Sequence, residues 1–402
     1  MQQTPQQLLI STAKKGLCRL AGLLMLGVLA LPTTASPLLP AAPELAARAW
    51  LLVDSETGVV LAERDADLPL PPASLAKMLT SYIVSEEIIA GRLGEQELVR
   101  ISDNAWERGG AKTDGSTMFL EPRSEVPVID LMRGVIIQSG NDAAIALAEH
   151  ISGNEDNFVD LMNRQAAALG MEDSLFLNAT GLPASGMVST ATDLAKLARA
   201  TIVDHPNHYA IYAEKYFTHN NIRQPNRNRL LWRDSSVDGL KTGHTEASGY
   251  CLVASAQRRD MRLIAVVLGT DSDQSRARET QKLLSYGFRN FETKKLYNSG
   301  AALKEQLKVW YGNADYLNLV VDQPVLLTFQ RGSEKNLVAE VLVAAQIEAP
   351  IAAGDKLGTL RITLNDALLL ERPLVADRDI ASGHLFKRIK DWLTLFFGGL
   401  FA

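Results

Sequence analysis

Hydrophobic positions along the chain follow a strand pattern first, then a helical pattern, then a strand pattern again. The predicted strands lie at residues 49–53, 59–63, 237–241, 250–256 and 263–268. Between them, apolar residues recur at helical spacing through most of residues 126–200, and a further helix is predicted from about residue 273 to 291. Strands at both ends and helices in the middle are typical of a layered α/β domain, which we place at residues 45–292.

A second domain is predicted after a break in the pattern at residues 292–300, which are rich in Lys, Asn and Gly. Beyond the break, short β-branched or leucine-rich runs alternate with turn residues up to Asp379. These runs lie at residues 317–321, 325–329, 337–344 and 360–364. Short strands at this spacing predict a small all-β domain, which we place at residues 298–379.

The end of the chain predicts a strongly amphipathic helix at residues 383–402. Its apolar side consists of Leu385, Phe386, Ile389, Trp392, Leu393, Phe396, Phe397 and Leu400. The opposite side carries Lys387, Arg388, Lys390 and Asp391. Such a helix is too short and too charged to span a bilayer, but a cationic face beside aromatic residues suits the surface of an anionic membrane. The alternative is a helix that docks on its own domain.

The beginning of the chain has the pattern of an export signal. Three basic residues precede an apolar run at residues 20–31, and small residues suited to cleavage follow at residues 32–35. We therefore predict a signal peptide at residues 1–35, with a retained anchor helix as the alternative. Cleavage would remove Cys18 and leave Cys251 as a single cysteine, so no disulfide is expected.

Composition narrows the classes of function. The chain has 402 residues, 47% of them hydrophobic, which is enough for two cores. Its formal net charge of −5 argues against general nucleic-acid binding. The six histidines show no metal-ligand spacing such as H-E-x-x-H, so neither a metal ion nor another cofactor is expected.

A serine and a lysine one helical turn apart are the first candidate catalytic pair. Two prolines precede a helix that we expect to begin near Ala73, which places Ser74 in its first turn with Lys77 on the same face. The helix N-terminus favours negative charge that develops on a carbonyl attached to Ser74. Lys77 can act as a base only when it is neutral, which burial and a second cation promote. The same spacing at residues 11–14 lies in the export segment.

Two further short motifs supply the groups that this pair needs. Ser139 and Asn141 lie in a predicted connector between helices, where a hydroxyl and an amide are expected to relay a proton and hold a substrate carbonyl. Lys241, Thr242 and Gly243 continue the strand predicted from residue 237, and Lys241 is the second cation. Gly243 has no side chain, so we expect a peptide substrate to lie against the edge of this strand.

The ordered set S-x-x-K, S-x-N and K-T-G resembles the constellation of the penicillin-binding proteins and serine β-lactamases. Residues 72–78, 138–143, 226–228 and 237–245 resemble more specifically the low-molecular-mass D-alanyl-D-alanine carboxypeptidases of Gram-negative bacteria, the penicillin-binding protein 5 and 6 group. The resemblance covers nearly the whole mature chain. It implies a penicillin-binding-protein/β-lactamase-like catalytic domain, with an antiparallel sheet flanked by helices, then a small β-domain and an amphipathic membrane helix.

The family pattern also distinguishes repeated motifs. The Ser-Gly-Asn at residues 139–141 precedes Asp142 as the family requires, whereas a second copy at residues 152–154 is better explained as a helix end. Residues 178–182 resemble the loop that borders the family's site. Some relatives carry His where this chain has Thr180, so the rate at which the family hydrolyses its substrates is not transferred to this chain.

The resemblance implies a role for each motif residue. Ser74 would attack the carbonyl between the two terminal D-alanines of a peptidoglycan stem pentapeptide, with Lys77 as general base. Ser139 would pass a proton to the departing D-alanine. Backbone N–H groups of Ser74 and His244 would form the oxyanion hole, while the His244 imidazole is expected to make only a structural hydrogen bond. β-Lactam antibiotics would acylate Ser74.

The substrate ends in a carboxylate and therefore needs positive charge. The candidates for binding this carboxylate, in falling order, are Lys241, Thr242, Arg227 and Arg276. From the sequence alone, Arg276 is a charge on the surface of a helix, and only the resemblance to the family makes it a candidate. The family layout also implies a peripheral protein on the periplasmic face of the inner membrane, bound through its C-terminal helix.

Three alternatives remain at this stage. A serine β-lactamase uses the same motifs but needs a glutamate that activates water; Glu172 lies in the right region, without the expected loop motif around it. An endopeptidase that cuts cross-links shares the motifs, and differs only in the part of the substrate that it accepts beyond the scissile bond. A non-catalytic wall-binding protein would retain the fold, although the intact motifs argue against it.

Overall fold

The structure is a computed structural model, and it describes residues 41–113 and 115–398. The predicted signal peptide lies outside the described residues, as does the serine–lysine spacing at residues 11–14. Within the described residues, hydrophobic side chains form three buried clusters, two on opposite faces of one sheet and a third in the C-terminal domain. The two domains that the sequence predicts are therefore built around separate cores.

A five-stranded antiparallel sheet forms the centre of the N-terminal domain. In spatial order its strands are Val60–Arg64, Ala49–Asp54, Met261–Thr270, Gly249–Arg258 and Val237–Thr245. All five predicted strands are confirmed, and the last is longer than predicted. It lies at one edge of the sheet, so one side of its backbone is free to meet a substrate.

Both faces of this sheet are covered by helices, because its strands alternate between two cores. Leu51 and Val53 pack into the larger core, whereas Trp50 and Leu52 face the helix Asp273–Asn290 on the other side. The helices are Lys77–Ile89, Asp103–Gly109, Val128–Arg133, Asn141–Ser152, Glu155–Ala168, Ala191–Asp204, Pro206–Tyr209, Leu230–Arg233 and Asp273–Asn290. This arrangement confirms the α/β fold class with an antiparallel sheet.

Short elements complete the N-terminal domain. The 3₁₀ turns Ala73–Ala76 and Ala210–Ala213 and the π turn Gly134–Gln138 each adjoin a helix. Two small hairpins pair Leu98–Arg100 with Glu125–Pro127 and Tyr216–His219 with Ile222–Pro225. The helix Lys77–Ile89 runs through the core, since residues 77–85 are all buried. A helix buried on every side holds its first residue, a lysine, away from water.

The C-terminal domain begins earlier in the chain than the sequence pattern indicated. Phe291–Tyr297, which covers the first part of the predicted break, forms a strand that pairs with Val325–Gln330. Phe291 and Thr293 are buried in it, but the neighbouring lysines obscure this alternation in the sequence. A second, five-stranded sheet has the spatial order Ala302–Lys308, Tyr316–Val320, Ala367–Ala376, Lys356–Leu364 and Leu337–Val343. A 3₁₀ turn, Glu334–Asn336, precedes the last of these strands.

A buried polar network connects the two domains. Asp54, at the end of a central strand, accepts hydrogen bonds from the Thr57 hydroxyl at 2.9 Å and the Thr293 hydroxyl at 2.6 Å. Thr328 lies 2.7 Å from the Thr57 hydroxyl and 3.1 Å from that of Thr293. Each buried polar atom thus has a partner, so the domains meet without an unsatisfied charge.

The tail helix, Leu385–Gly398, is attached to the C-terminal domain by its polar side. Asp391 is buried and accepts a hydrogen bond from the Tyr311 N–H at 2.8 Å. Lys387 lies 2.7 Å from both Asp315 and Asp391, so it is not part of a free cationic face as the sequence suggested. The apolar side is exposed, up to 82% at Phe386. No helix among the described residues is long and apolar enough to cross a membrane.

Candidate active site

The candidate nucleophile lies on a tight turn just before the buried helix. Ser74 belongs to the 3₁₀ turn Ala73–Ala76 rather than to the first turn of the α-helix, which begins at Lys77. Ala73 has a φ of 50°, a left-handed conformation that non-glycine residues seldom adopt. The Lys77 ammonium nitrogen lies 3.3 Å from Ser74 Oγ. The two side chains therefore meet as the spacing predicted.

Lys77 is held in a site that disfavours its charge. Its side chain is 1% exposed, and besides Ser74 it donates hydrogen bonds to Asn141 Oδ1 at 2.7 Å and to the Thr180 carbonyl. Burial lowers the pKa of Lys77 to about 7, against a smaller opposing effect of the Asp142 carboxylate. Near neutral pH a substantial fraction of Lys77 is thus a neutral amine.

The second serine–lysine pair faces the first across the site. Ser139 has a left-handed φ of 62° between the π turn Gly134–Gln138 and the helix Asn141–Ser152. Lys241, on the edge strand, donates a hydrogen bond to Ser139 Oγ at 2.8 Å. Burial lowers the pKa of Lys241 well below its usual value, and the positive charges of Lys77, Arg227 and Arg276 lower it further.

These groups surround a cavity of about 270 Å³. Its lining includes Ser74, Ser116, Ser139, Asn141, Arg227, Thr242, Gly243, His244, Tyr250 and Arg276. None of the described lining residues is acidic, while two are arginines. Across the described residues there is also no cluster of three or more His, Cys, Asp or Glu side chains that could hold a metal ion. The cavity is suited to an anionic ligand.

Two predicted cations occupy different positions. Arg227 is exposed at the cavity, between the buried side chains of Asn226 and Asn228. Arg276 is buried, donates a hydrogen bond to the Gly243 carbonyl at 3.1 Å and pairs with Asp273, so it is not a helix-surface charge. Arg276 therefore supports the edge strand directly, whereas Arg227 is available to a ligand.

The structure corrects the expected contact of His244 and adds a second reason for the glycine at position 243. The His244 imidazole has no hydrogen-bond partner in the described chain; it stacks on the Tyr250 ring with centroids 3.9 Å apart. A Cβ on Gly243 would lie 3.1 Å from the Pro72 carbonyl oxygen and 3.2 Å from Ala73 Cβ. Gly243 therefore lets the edge strand approach the nucleophile turn, while its expected contact with a substrate backbone stays a prediction.

The loop at residues 178–182 borders the cavity, as the resemblance implies, and also makes contacts that the sequence did not predict. Asn178 Oδ1 accepts hydrogen bonds from the N–H groups of Thr180 and Gly181, which turns the Thr180 carbonyl toward Lys77. Gly181 has a φ of +80°, and a Cβ there would lie 1.8 Å from the Ala73 carbonyl oxygen. The Asn and Gly of this loop predict a turn from the sequence alone. Their contact with the nucleophile turn could not be predicted from it.

Asp142 is a second residue whose function the sequence did not reveal. It is fully buried and accepts hydrogen bonds from the Thr117 hydroxyl and from the N–H groups of Met118 and Leu120. It thereby holds the segment that contains Ser116 against the site. Its acidic side chain in the first turn of a helix was the available signal.

The second Ser-Gly-Asn behaves as expected for a helix end. Gly153 has a left-handed φ of +79° after the helix Asn141–Ser152, and Asn154 caps the next helix by accepting a hydrogen bond from the Asn157 N–H. None of these residues lines the cavity.

Comparison with known families agrees with the geometry. The D-alanyl-D-alanine carboxypeptidase family, peptidase S11, matches residues 36–272. The chain belongs to this family. The C-terminal domain of penicillin-binding protein 5 matches residues 291–382. The catalytic domain and the C-terminal domain that the resemblance implied are thus both confirmed.

Individual members of the family match over most of their length. D-alanyl-D-alanine carboxypeptidase DacC of Escherichia coli (strain K12) is 45% identical over 359 residues, which is 89% of this chain and 90% of the relative. The crystal structure of penicillin binding protein 5 from Haemophilus influenzae has a TM-score of 0.80 at 39% identity, covering 85% of this chain and 100% of that one. Penicillin-binding protein D2 from Listeria monocytogenes, solved in the ampicillin-bound form, has a TM-score of 0.56 at 31% identity, covering 62% and 100%.

Gly181→Ala is expected to disrupt the site. The added Cβ would collide with the Ala73 carbonyl and displace Ser74, and a displacement of about 1 Å at a reacting group can reduce the rate by about 10²-fold. The measurement is the rate of acylation by a fluorescent penicillin.

Gly186→Ala is the matched control, because Gly186 lies in the same part of the chain at a φ of +91° but has open space around it. It tests the backbone strain without the collision. Equal losses of rate in the two variants would contradict the role assigned to the contact between Gly181 and Ala73.

The pH dependence of acylation is expected to follow Lys77. Because only the neutral amine can accept a proton, the acylation rate should rise as the pH passes through about 7 and then level off. Asp142→Asn removes the negative charge that raises the pKa of Lys77, so the rising limb should move to lower pH. The measurement is the second-order acylation rate of a chromogenic penicillin as a function of pH.

Asp130→Asn serves as the charge control, since Asp130 pairs with Arg133 near the surface. Its profile should match that of the wild type. A rising limb that stays in place or moves to higher pH in Asp142→Asn would show that Lys77 is not the titrating base.

Proposed function

We propose that this chain is a serine-type carboxypeptidase that removes the terminal D-alanine from peptidoglycan stem pentapeptides. The observation that carries the proposal is the buried amine of Lys77, which has a pKa of about 7 and contacts the Ser74 hydroxyl. A base that is partly neutral at physiological pH can activate a hydroxyl without a histidine. The names of the family and of its curated members agree with this activity.

In the acylation step, neutral Lys77 accepts the Ser74 proton while Ser74 Oγ attacks the carbonyl between the two D-alanines. The N–H groups of Ser74 and His244 stabilise the resulting oxyanion. The C–N bond then breaks, and the proton that Lys77 has taken passes through the Ser139 hydroxyl to the departing amine, which leaves Lys77 neutral for the next step. Lys241, which donates a hydrogen bond to Ser139 Oγ, orients this hydroxyl.

Substrate selection follows from the charges around the cavity. Arg227 and Thr242 line it, so a terminal carboxylate meets a positive charge and a hydroxyl donor in the cavity. Asn141 contributes its amide to the same cavity and is held by Lys77. Arg276 acts as a positioning residue through its hydrogen bond to the Gly243 carbonyl.

Hydrolysis of the acyl-enzyme then needs a base for water. No described lining residue is acidic, and Glu172 is exposed and does not line the cavity, which disfavours the glutamate-dependent route of a β-lactamase. Lys77 is the remaining candidate base. β-Lactams are proposed to acylate Ser74 in the same way, as the ampicillin-bound relative suggests by analogy.

The decisive experiment combines a D-alanine release assay on a pentapeptide with mass spectrometry after addition of penicillin. The wild type should release D-alanine and carry a long-lived adduct on Ser74, and Ser74→Ala should do neither. Ser139→Ala should lower release by roughly 10²–10⁴-fold, the usual effect of losing a proton-transfer group.

Ser152→Ala is the matched control, because it changes the serine of the second Ser-Gly-Asn, away from the cavity. Absence of both adduct and D-alanine would overturn the proposal. Rapid turnover of penicillin without an adduct would indicate a β-lactamase, and release only from cross-linked dimers would indicate an endopeptidase.

We also propose that the protein is exported and lies on the periplasmic face of the inner membrane. The export signal at residues 1–35 supports the first part. The exposed apolar side of the tail helix, within the segment 383–402, supports attachment to an anionic membrane surface.

Ending the chain at residue 382 is expected to release the protein from the membrane fraction while penicillin acylation continues at the wild-type rate. The physical reason is that the tail helix carries the exposed apolar side and lies outside the catalytic domain. Fractionation of cells followed by penicillin labelling measures both properties. If the shortened protein stays with the membrane, attachment depends on the N-terminal segment instead.

A further inference from the structure

A second pocket lies where the tail helix meets the C-terminal domain. This tail pocket has a volume of about 460 Å³. Its lining includes Tyr311, Glu348, Leu385, Arg388, Ile389 and Trp392. The volume falls in the range of about 300–1,000 Å³ that is usual for small-ligand sites. The pocket combines two opposite charges with apolar and aromatic side chains.

Arg388 is the cation of the tail pocket, and it differs from its neighbour Lys387. Lys387 is neutralised by Asp315 and Asp391, each 2.7 Å away. Arg388 has no acidic partner within residues 41–113 and 115–398, and its side chain is exposed. A planar guanidinium without a partner is well suited to bind a phosphate.

The position of Arg388 relates the tail pocket to the membrane. On the helix, Arg388 lies between the attached polar side and the exposed apolar side that carries Leu385, Ile389 and Trp392. When this apolar side enters a membrane surface, a residue at its border comes to the depth of the lipid headgroups. A headgroup phosphate can then reach Arg388 while acyl chains contact the apolar side.

The pocket keeps its shape because the tail helix is fixed. The Asp391 carboxylate accepts the Tyr311 N–H, and the Gly383 N–H donates to the Tyr311 carbonyl. These two contacts hold the start and the middle of the helix against the residue that forms one wall of the pocket. A site that exists before the ligand arrives loses less entropy on binding.

Glu348 narrows the choice of headgroup. Its carboxylate is exposed on the domain side of the tail pocket, and Gln346 donates a hydrogen bond to one of its oxygens. The other oxygen can accept from a ligand. A cation and an anion in one pocket complement a headgroup that carries both a phosphate and an ammonium with N–H donors.

We propose that the tail pocket binds the headgroup of phosphatidylethanolamine, with Arg388 on the phosphate, Glu348 on the ammonium and Trp392 against the first acyl carbons. The proposal rests on the attachment of the tail helix to the membrane surface. It adds a lipid preference that an amphipathic helix alone would not have.

The test compares binding of the purified protein to two vesicle types with an equal fraction of phosphatidylglycerol. In one the remaining lipid is phosphatidylethanolamine, and in the other it is phosphatidylcholine, whose ammonium has no N–H donor. The wild type should bind the first about two- to fivefold more tightly, the effect of one exposed ion pair. Arg388→Gln and Glu348→Gln should each reduce this ratio.

Lys390→Gln is the matched control. It removes the same charge from the same helix, but Lys390 does not line the tail pocket. It should weaken binding to both vesicles and leave their ratio unchanged. Phosphatidylethanolamine also alters lipid packing, which can change binding on its own. The ratio of binding to the two vesicle types that remains in Glu348→Gln measures this packing effect. Penicillin acylation of each variant verifies that the catalytic domain is folded.

The possible failures are distinguishable. If the wild type binds neither vesicle, membrane attachment through the tail helix is wrong, and the lipid site with it. If it binds both but the ratio is the same in the wild type, Arg388→Gln and Lys390→Gln, the tail helix attaches without a headgroup site. If only Glu348→Gln keeps the full ratio, the assignment of the ammonium is overturned.

Discussion

The removal of Lys77 from water is the constraint on which the rest of the site depends. A lysine that is 1% exposed loses most of its hydration, and this lowers its pKa to about 7. The loss is offset by three acceptors from different parts of the chain: the Ser74 hydroxyl, the Asn141 amide and the Thr180 carbonyl. Since the acceptors belong to a 3₁₀ turn, a helix start and a loop, the position of one amine also fixes the elements around it.

Neighbouring charges act in opposite directions on the pKa values of the two buried lysines. The Asp142 carboxylate raises the pKa of Lys77, so it limits how far burial can remove the proton. Lys241, itself 2% exposed, has its pKa lowered by burial and by the nearby positive charges. The described residues that line the cavity include two arginines and no acidic side chain, so the cavity favours an anionic ligand. A substrate carboxylate bound there would interact with charges that lie next to the catalytic lysines.

The sequence predicted side chains better than contacts. Motif spacing identified Ser74 and Lys77, because residues three apart on a helix must meet, and hydrophobic periodicity located the five strands of the main sheet. Neither kind of pattern predicted the contact between Gly181 and Ala73, because this contact joins backbone segments far apart in the chain and leaves no periodic signal. The strand Phe291–Tyr297 was obscured because its lysines carry polar ends on a half-buried strand.

Buried carboxylates with several hydrogen-bond partners occur at both junctions of the C-terminal domain as well as next to the active site. Asp54 leaves the central sheet and accepts a hydrogen bond from Thr293 in the second domain, and Asp391 accepts one from the Tyr311 N–H at that domain's far end. Asp54 also accepts a hydrogen bond from Thr57, and Asp391 also pairs with Lys387, so a break at either junction removes one of several partners of a buried carboxylate. Rotation of the domain or the helix is therefore opposed at both junctions. A helix held in this way keeps one orientation relative to the C-terminal domain, which a flexible linker would not provide.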